Sequence, residues 1–294
     1  MQEDRWLATR KRHDRIMKTL FVFSACAVAV IIFSIMFFLG FQGLQTFKGT
    51  TPWTFFFSAD LTPSEDRFGA FSFFFSTSVL TLLSVLLSVP LALSGAVFMA
   101  KIAPKWMREI LRPAADLFVG IPSVVYGLVG LTVIVPTLGK WFGVPGYGLL
   151  PAALILAVMI LPTILSISED AIRSLPKGLE EASLALGATR WQTIWRVLLP
   201  ASKPGILAGV ILGMGRAIGE TMAVFMVIGN SPQIPKSLLD STTVLTTAIV
   251  KDMPHTFHGT TWNNALYLMA LMLLLISMAL IFVIRMAAKR GGLK

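Results

Sequence analysis

Six long apolar runs limit what this chain can fold into. They lie at about residues 19–41, 69–100, 114–138, 148–172, 204–229 and 263–286. A bilayer core about 30 Å thick takes about 20 apolar residues as a helix. The runs lack the two-residue alternation of barrel strands, and a helix satisfies its own backbone groups within the membrane. Only 14 % of residues are charged and the mean hydropathy is +0.76, against about a quarter charged in a soluble domain. The sequence predicts an all-α integral membrane protein of about six transmembrane helices.

The first run extends to Phe41 and no small-residue cleavage site of A-x-A type follows it, so it reads as an uncleaved span rather than a signal peptide. Nineteen of the 25 lysines and arginines fall in the N-terminal arm, the links after spans two and four, and the tail. By the positive-inside rule these segments and both termini are cytoplasmic. The expected organisation is a basic arm at 1–18, a first span and periplasmic loop at 19–68, a core at 69–286 containing a cytoplasmic loop at 173–203, and a tail at 287–294. The net charge of +10 then sets topology and meets anionic lipid headgroups, not nucleic acid. Cys26 is the sole cysteine, and His255 and His258 have no carboxylate pattern beside them, so no metal site is expected. Pro90, Pro122, Pro136 and Pro162 interrupt spans and are expected to kink them. The stretch "FSFFFSTSVLTLLSVLLSV" reads as a lipid-facing span.

The cytoplasmic loop reads "RSLPKGLEEASLALGATRWQTIWRVLLPASK". A short amphipathic helix is expected from Gly178 to Leu186, with Leu179, Ala182 and Leu186 on one face, acids in its first turn and Gly187 as its terminator. A second short helix from about Thr189 carries Trp191, Ile194, Trp195 and Leu198 before Pro200. Such a unit suits docking to a partner; a helix lying on the membrane surface is the other reading. The spacing resembles the EAA loop of ABC-importer permeases at Glu181, Ala182, Ser183, Gly187, Val197, Leu199 and Pro200, with Ser183 for an alanine and Val197 for an isoleucine. In that family the loop is a coupling helix seated on a cytoplasmic ATPase. The resemblance implies that Glu180, Glu181, Ala182, Ser183 and Gly187 dock the ATPase, and that ATP and Mg are bound there and no cofactor by this chain. No phosphate loop of the G-x-x-x-x-G-K-[ST] type occurs in the sequence.

"GRAIGETMAV" places Arg216 and Glu220 inside the fifth run. An intramembrane charge costs about 2.5–3.5 kcal/mol on insertion scales and marks a functional candidate. At i, i+4 in one helix the two share a face, but Arg-then-Glu is the weaker order, which favours other partners for each. Gly205, Gly209, Gly213, Ala217 and Thr221 form a small-residue ridge alongside that admits a close helix neighbour. Two readings stand: an ion pair that locks register, or the lining of a translocation route.

"GMGRAIGETMAVFMVIGN" and "IPSVVYGLVGL" resemble the phosphate-uptake branch of that permease family, its PstC type rather than its PstA type. The resemblance covers the chain from about residue 70. It implies that Arg216 and Glu220 act in transport. Ser123, Tyr126 and Thr221 are lesser pathway candidates, each equally suited to bonding a neighbouring helix. Asp116, Glu169 and Asp170 read as interfacial. The implied partners are a second homologous permease, two ATPase subunits and a periplasmic phosphate-binding protein in a bacterial inner membrane. The alternatives are a permease for another oxyanion or solute, a non-transporting scaffold or sensor, and a lipid enzyme, which lacks any HExxH or GxSxG constellation.

Overall fold

The computed structural model describes residues 2–59, 61–62 and 67–290, and the side chains among them of 14–59, 68–286. The tail 287–294 and most of the arm 1–18 therefore lie outside the described side chains. The elements are α1 (Gln2–Leu44), α2 (Pro52–Phe57), a two-residue antiparallel ladder of β1 (Leu61–Thr62) and β2 (Arg67–Phe68), α3 (Phe71–Val97), α4 (Lys105–Gly120), α5 (Ser123–Val129), α6 (Val135–Phe142), α7 (Leu149–Arg173), α8 (Lys177–Ala185), α9 (Arg190–Thr193), α10 (Leu199–Gly219), α11 (Met222–Val227), α12 (Leu245–Asp252) and α13 (Thr261–Arg290). Wider π-type turns at Phe98–Ile102, Gly130–Ile134 and Ile194–Leu198 extend α3, join α5 to α6 and join α9 to α10. Among the described residues, six helical stretches are long and apolar enough to span a membrane: Asp14–Lys48, Phe71–Ile102, Ser123–Phe142, Leu149–Arg173, Arg190–Gly219 and Thr261–Met286.

α7 is the centre of the bundle. It packs against α3, α10, α4 and α11 and buries Leu156, Ile160, Ile164 and Ile172. Lipid offers helices no hydrophobic incentive to associate, so close van der Waals approach must hold them. The small-residue ridge provides it. A Cβ added at Gly205 would lie 2.4 Å from Ala171 Cβ, and one at Gly213 2.7 Å from Ile164 Cγ1.

α3 corrects the expectation of a lipid-facing span. Its small hydroxyl residues Ser72, Ser76, Thr77, Thr81, Ser84 and Ser88 are buried, and α3 packs on α7. Thr77, Thr81 and Ser84 donate back to the carbonyls of Phe73, Thr77 and Leu80 at 2.7, 2.8 and 2.7 Å. Hydroxyls satisfied within their own helix act as small packing residues.

Two boundaries also differ from the sequence reading. The link after span two is the helix α4. The second short helix of the loop does not stop at Pro200: the helical path runs from α9 through the π turn into α10. Proline is tolerated near a helix start, and Pro200 is in the first turn of α10. Of the predicted kinks, Pro122 sits at a true break, between α4 and α5, whereas Pro90 and Pro162 lie within unbroken helices.

The predicted docking helix is α8. Gly187 beyond it adopts φ +84, the left-handed form that favours glycine. Thr189 and Gln192 then form a reciprocal capping box that restarts the chain as α9. The side chain α8 buries is Ser183, whose Oγ lies 2.9 Å from Thr193 Oγ1. The expected apolar face is turned outward, with Leu179 40 % and Leu186 89 % exposed.

Candidate functional site: two broken spans that meet

The fifth span is not continuous through "GRAIGE". α10 ends at Gly219, Glu220 is extended (φ −70, ψ 129), and α11 begins at Met222. Arg216 and Glu220 therefore do not share a helix face, and among the described residues no ion pair joins them. Each takes a helix end instead. The Glu220 carboxylate accepts from the backbone N–H groups of Thr221 (3.2 Å) and Ala223 (3.3 Å) at the start of α11. An acid there satisfies free donors and complements the positive end of the helix. Arg216 stands in the last turn of α10 and donates to the carbonyl of Val119, in the last turn of α4, at 3.3 Å. A cation is favoured at both of those negative helix ends.

The backbone breaks beside it as well, where the link helix α4 gives way to the third span. α4 ends at Gly120 and α5 begins at Ser123, with Ile121 and Pro122 extended between them. Tyr126 Oη donates to the Phe118 carbonyl at 2.8 Å. Tyr126 and Arg216 thus cap neighbouring carbonyls of one helix end. α5 and α11 pack closely beyond the breaks: a Cβ at Gly127 would lie 2.9 Å from Ala223 Cα. Gly213, one turn before Arg216, touches Ile164 and Ile160 near the midpoint of α7. The breaks consequently lie at depth in the bundle, where irregular backbone is tolerated only if protein or an aqueous cavity surrounds it. A hollow of about 510 Å³ lined by Asp116, Leu117, Phe118, Gly120 and Pro122 adjoins the α4 end.

Arg216, Glu220, Thr221, Ser123 and Tyr126 all fall at this junction, half-buried. Thr221 Oγ1 bonds the Gly219 carbonyl at 3.3 Å. The Ser123 hydroxyl has no hydrogen-bond partner among the described residues. Sequence reasoning missed Thr246 in α12, whose Oγ1 donates to the Glu220 carbonyl at 3.2 Å. It lies 26 residues beyond Glu220, and no local pattern marks it. α12 ends at half-buried Asp252. Burial pushes its carboxyl up from the ordinary value, and Lys251 and His255 pull it back in part.

The expected docking residues sit apart from this junction. Glu181, Ala182 and Gly187 are exposed, Ser183 is buried, and Glu180 is paired with Lys101 at 2.5 Å. Glu169 and Asp170 tie α7 to α4: Arg112 lies 2.7 Å from Asp170 and 3.8 Å from Glu169, and Arg173 lies 3.0 Å from Glu169. Glu169 is fully buried.

In this multi-pass bundle the fifth apolar run breaks against the end of the link helix α4. Residues 92–290 match the family described as "Binding-protein-dependent transport system inner membrane component", and the chain belongs to that family. It is 47 % identical over 276 residues to the "Probable ABC transporter permease protein YqgH" of Bacillus subtilis, covering 92 % of this chain and 89 % of that protein. It is 33 % identical over 302 residues to the "Phosphate transport system permease protein PstC" of Xylella fastidiosa, covering 95 % and 91 %. A solved bacterial alginate ABC transporter matches over 94 % of each chain at 20 % identity with a TM-score of 0.59, and that likeness carries the fold alone. The chain is thus a multi-pass inner-membrane transport subunit of the ABC importer type.

Proposed function

We propose that this chain is the permease subunit of an ATP-driven importer of inorganic phosphate. The observation that carries the cargo is the 33 % identity, over nearly the whole chain, to permeases named for phosphate transport. The junction is chemically suited to that cargo. Phosphate brings negative charge and several acceptor oxygens, which the planar fork of arginine matches. Arg216 commits one donor to Val119 at a long 3.3 Å, so a passing oxyanion exchanges for a weak bond. A weak contact suits a conduit, which must release its cargo.

In this reading both termini and α8 face the cytoplasm. ATP and Mg are bound by two partner ATPases seated on Glu181, Ala182 and the exposed leucines of α8. A second homologous permease completes the pathway, and a periplasmic phosphate-binding protein delivers cargo to it. The test is phosphate uptake in cells whose sole high-affinity importer contains this chain. Competition by arsenate but not sulfate is the expected result. An assembled complex that takes up no phosphate overturns the cargo assignment and leaves a permease for another solute.

A further inference from the structure

α4 is attached to the rest of the chain in an unusual way. None of its side chains is buried in this chain, and Trp106, Ile110 and Leu117 are more than half exposed. Polar ties hold it at both ends instead. At its start, Arg108 Nε and a terminal nitrogen donate to the carbonyls of Met99 (2.9 Å) and Ala103 (3.2 Å), which clasps α4 onto the turn after α3. Lys101 belongs to that same turn, and its Nζ bonds Glu180 of α8 at 2.5 Å. Further along, Arg112 bonds Asp170 at 2.7 Å. At the far end, the Phe118 and Val119 carbonyls receive Tyr126 and Arg216. The path from the docking helix to the guanidinium therefore runs through the turn after α3, the Arg108 clasp and α4.

We infer that Lys101 is a positioning residue for transport: its bond to Glu180 ties α8 to the turn that Arg108 clasps onto α4, so that displacement of α8 shifts the carbonyl end of α4 against Arg216. This rests on the importer reading, in which a partner ATPase moves α8. A helix held by exchangeable polar ties moves as a unit at smaller cost than one locked by packed core, because close-packed interiors resist graded deformation. A covalent route from α8 to Arg216 also exists, through Gly187, α9 and α10. That route is itself bonded, since Ser183 Oγ lies 2.9 Å from Thr193 Oγ1, and the Lys101 bond is a second tie from α8 that leads to α4 instead. Coupling through a contiguous network is established by swaps and cycles, not by proximity.

The experiment uses the assembled transporter in membrane vesicles, comparing wild type, K101E and the swap K101E/E180K. The readouts are co-purification of the ATPase, phosphate taken up per ATP hydrolysed, and thiol labelling of G120C in a C26A background. Gly120 adjoins Val119, and an added Cβ there has open space. Expected for K101E is a fall in phosphate per ATP of at least about tenfold, the scale of ordinary coupling energies, with G120C labelling insensitive to vanadate-trapped nucleotide. The swap is expected to recover both. K101E within twofold of wild type overturns the inference, because the Gly187 route then suffices. A swap that restores assembly without the nucleotide response overturns it as well. If wild type hydrolyses ATP without importing phosphate, the cargo assignment falls, and the labelling of G120C still decides the role of Lys101.

Discussion

Glu220 caps the helix that follows it, while Arg216, four residues earlier, bonds Val119 of the link helix α4 at 3.3 Å. The two intramembrane charges thus stand on opposite sides of a helix end, each compensated by backbone. This separates their roles. Arg216 has donors to spare for an anion, and Glu220 fixes the turn that presents it.

If Glu220 acts as a cap, its acceptor oxygen matters more than its charge. E220Q should melt within about 0.5 kcal/mol of wild type, and E220A should lose about 1 kcal/mol, the usual value of a lost cap. Thermal unfolding of the detergent-solubilised complex checks this. Equal losses in both variants would show that the charge itself is needed.

Thr246 holds the same turn from α12. T246V leaves the Glu220 carbonyl without its side-chain donor, and an unsatisfied buried group costs about 1–3 kcal/mol. T246S keeps the donor and should keep both stability and uptake. A T246V protein indistinguishable from T246S would remove Thr246 from the account.

Packing of α10 on α7 gives a paired test with opposite signs. G205A forces a Cβ to within 2.4 Å of Ala171 Cβ and should destabilise by about 1–3 kcal/mol. G215A meets nothing within 4 Å and should gain up to about 1 kcal/mol of helix propensity. Thermal melts of the two variants report the difference.

Asp252 predicts a pH dependence. Its folded pKa lies above the ordinary 3.8, chiefly through burial. The folded state therefore keeps the proton to higher pH than the unfolded chain, and stability falls as pH rises from about 3.8 through the raised value. D252N should remove that part of the slope in melts recorded across the acidic range.

Much of the architecture was readable from residues alone because it rests on strong local signals. Runs of about 20 apolar residues mark spans, Gly187 marks the end of α8, and the four-residue glycine spacing in α10 marks the face that meets α7. The break at Glu220–Thr221 had a weaker signal. Gly219 ends α10 there, but glycines recur at every fourth position along that helix, and the apolar pattern continues on both sides. Groups that a continuous helix would satisfy itself find other partners: Thr246 donates to the Glu220 carbonyl from α12, and the Glu220 carboxylate accepts from the Thr221 and Ala223 N–H groups. The buried face of α3 was misread for a related reason. Serine and threonine hydroxyls that bond their own helix look polar in sequence and pack as small residues in the bundle. The sequence did hint that Arg216 and Glu220 prefer other partners, through the unfavourable order of the pair, but not which partners.

The central claim is that Arg216, poised between the break in the fifth run and the end of α4, handles the transported anion. The most direct test is the uptake rate of labelled inorganic phosphate by the intact complex with wild-type, R216K and R216A permease, at matched levels of assembled ATPase. The account predicts loss in R216A of at least about a hundredfold, comparable to losing a principal charge-stabilising donor, and partial uptake in R216K, whose point charge lacks the planar fork. Uptake by R216A at the wild-type rate would contradict it and leave Arg216 as a structural clasp on α4.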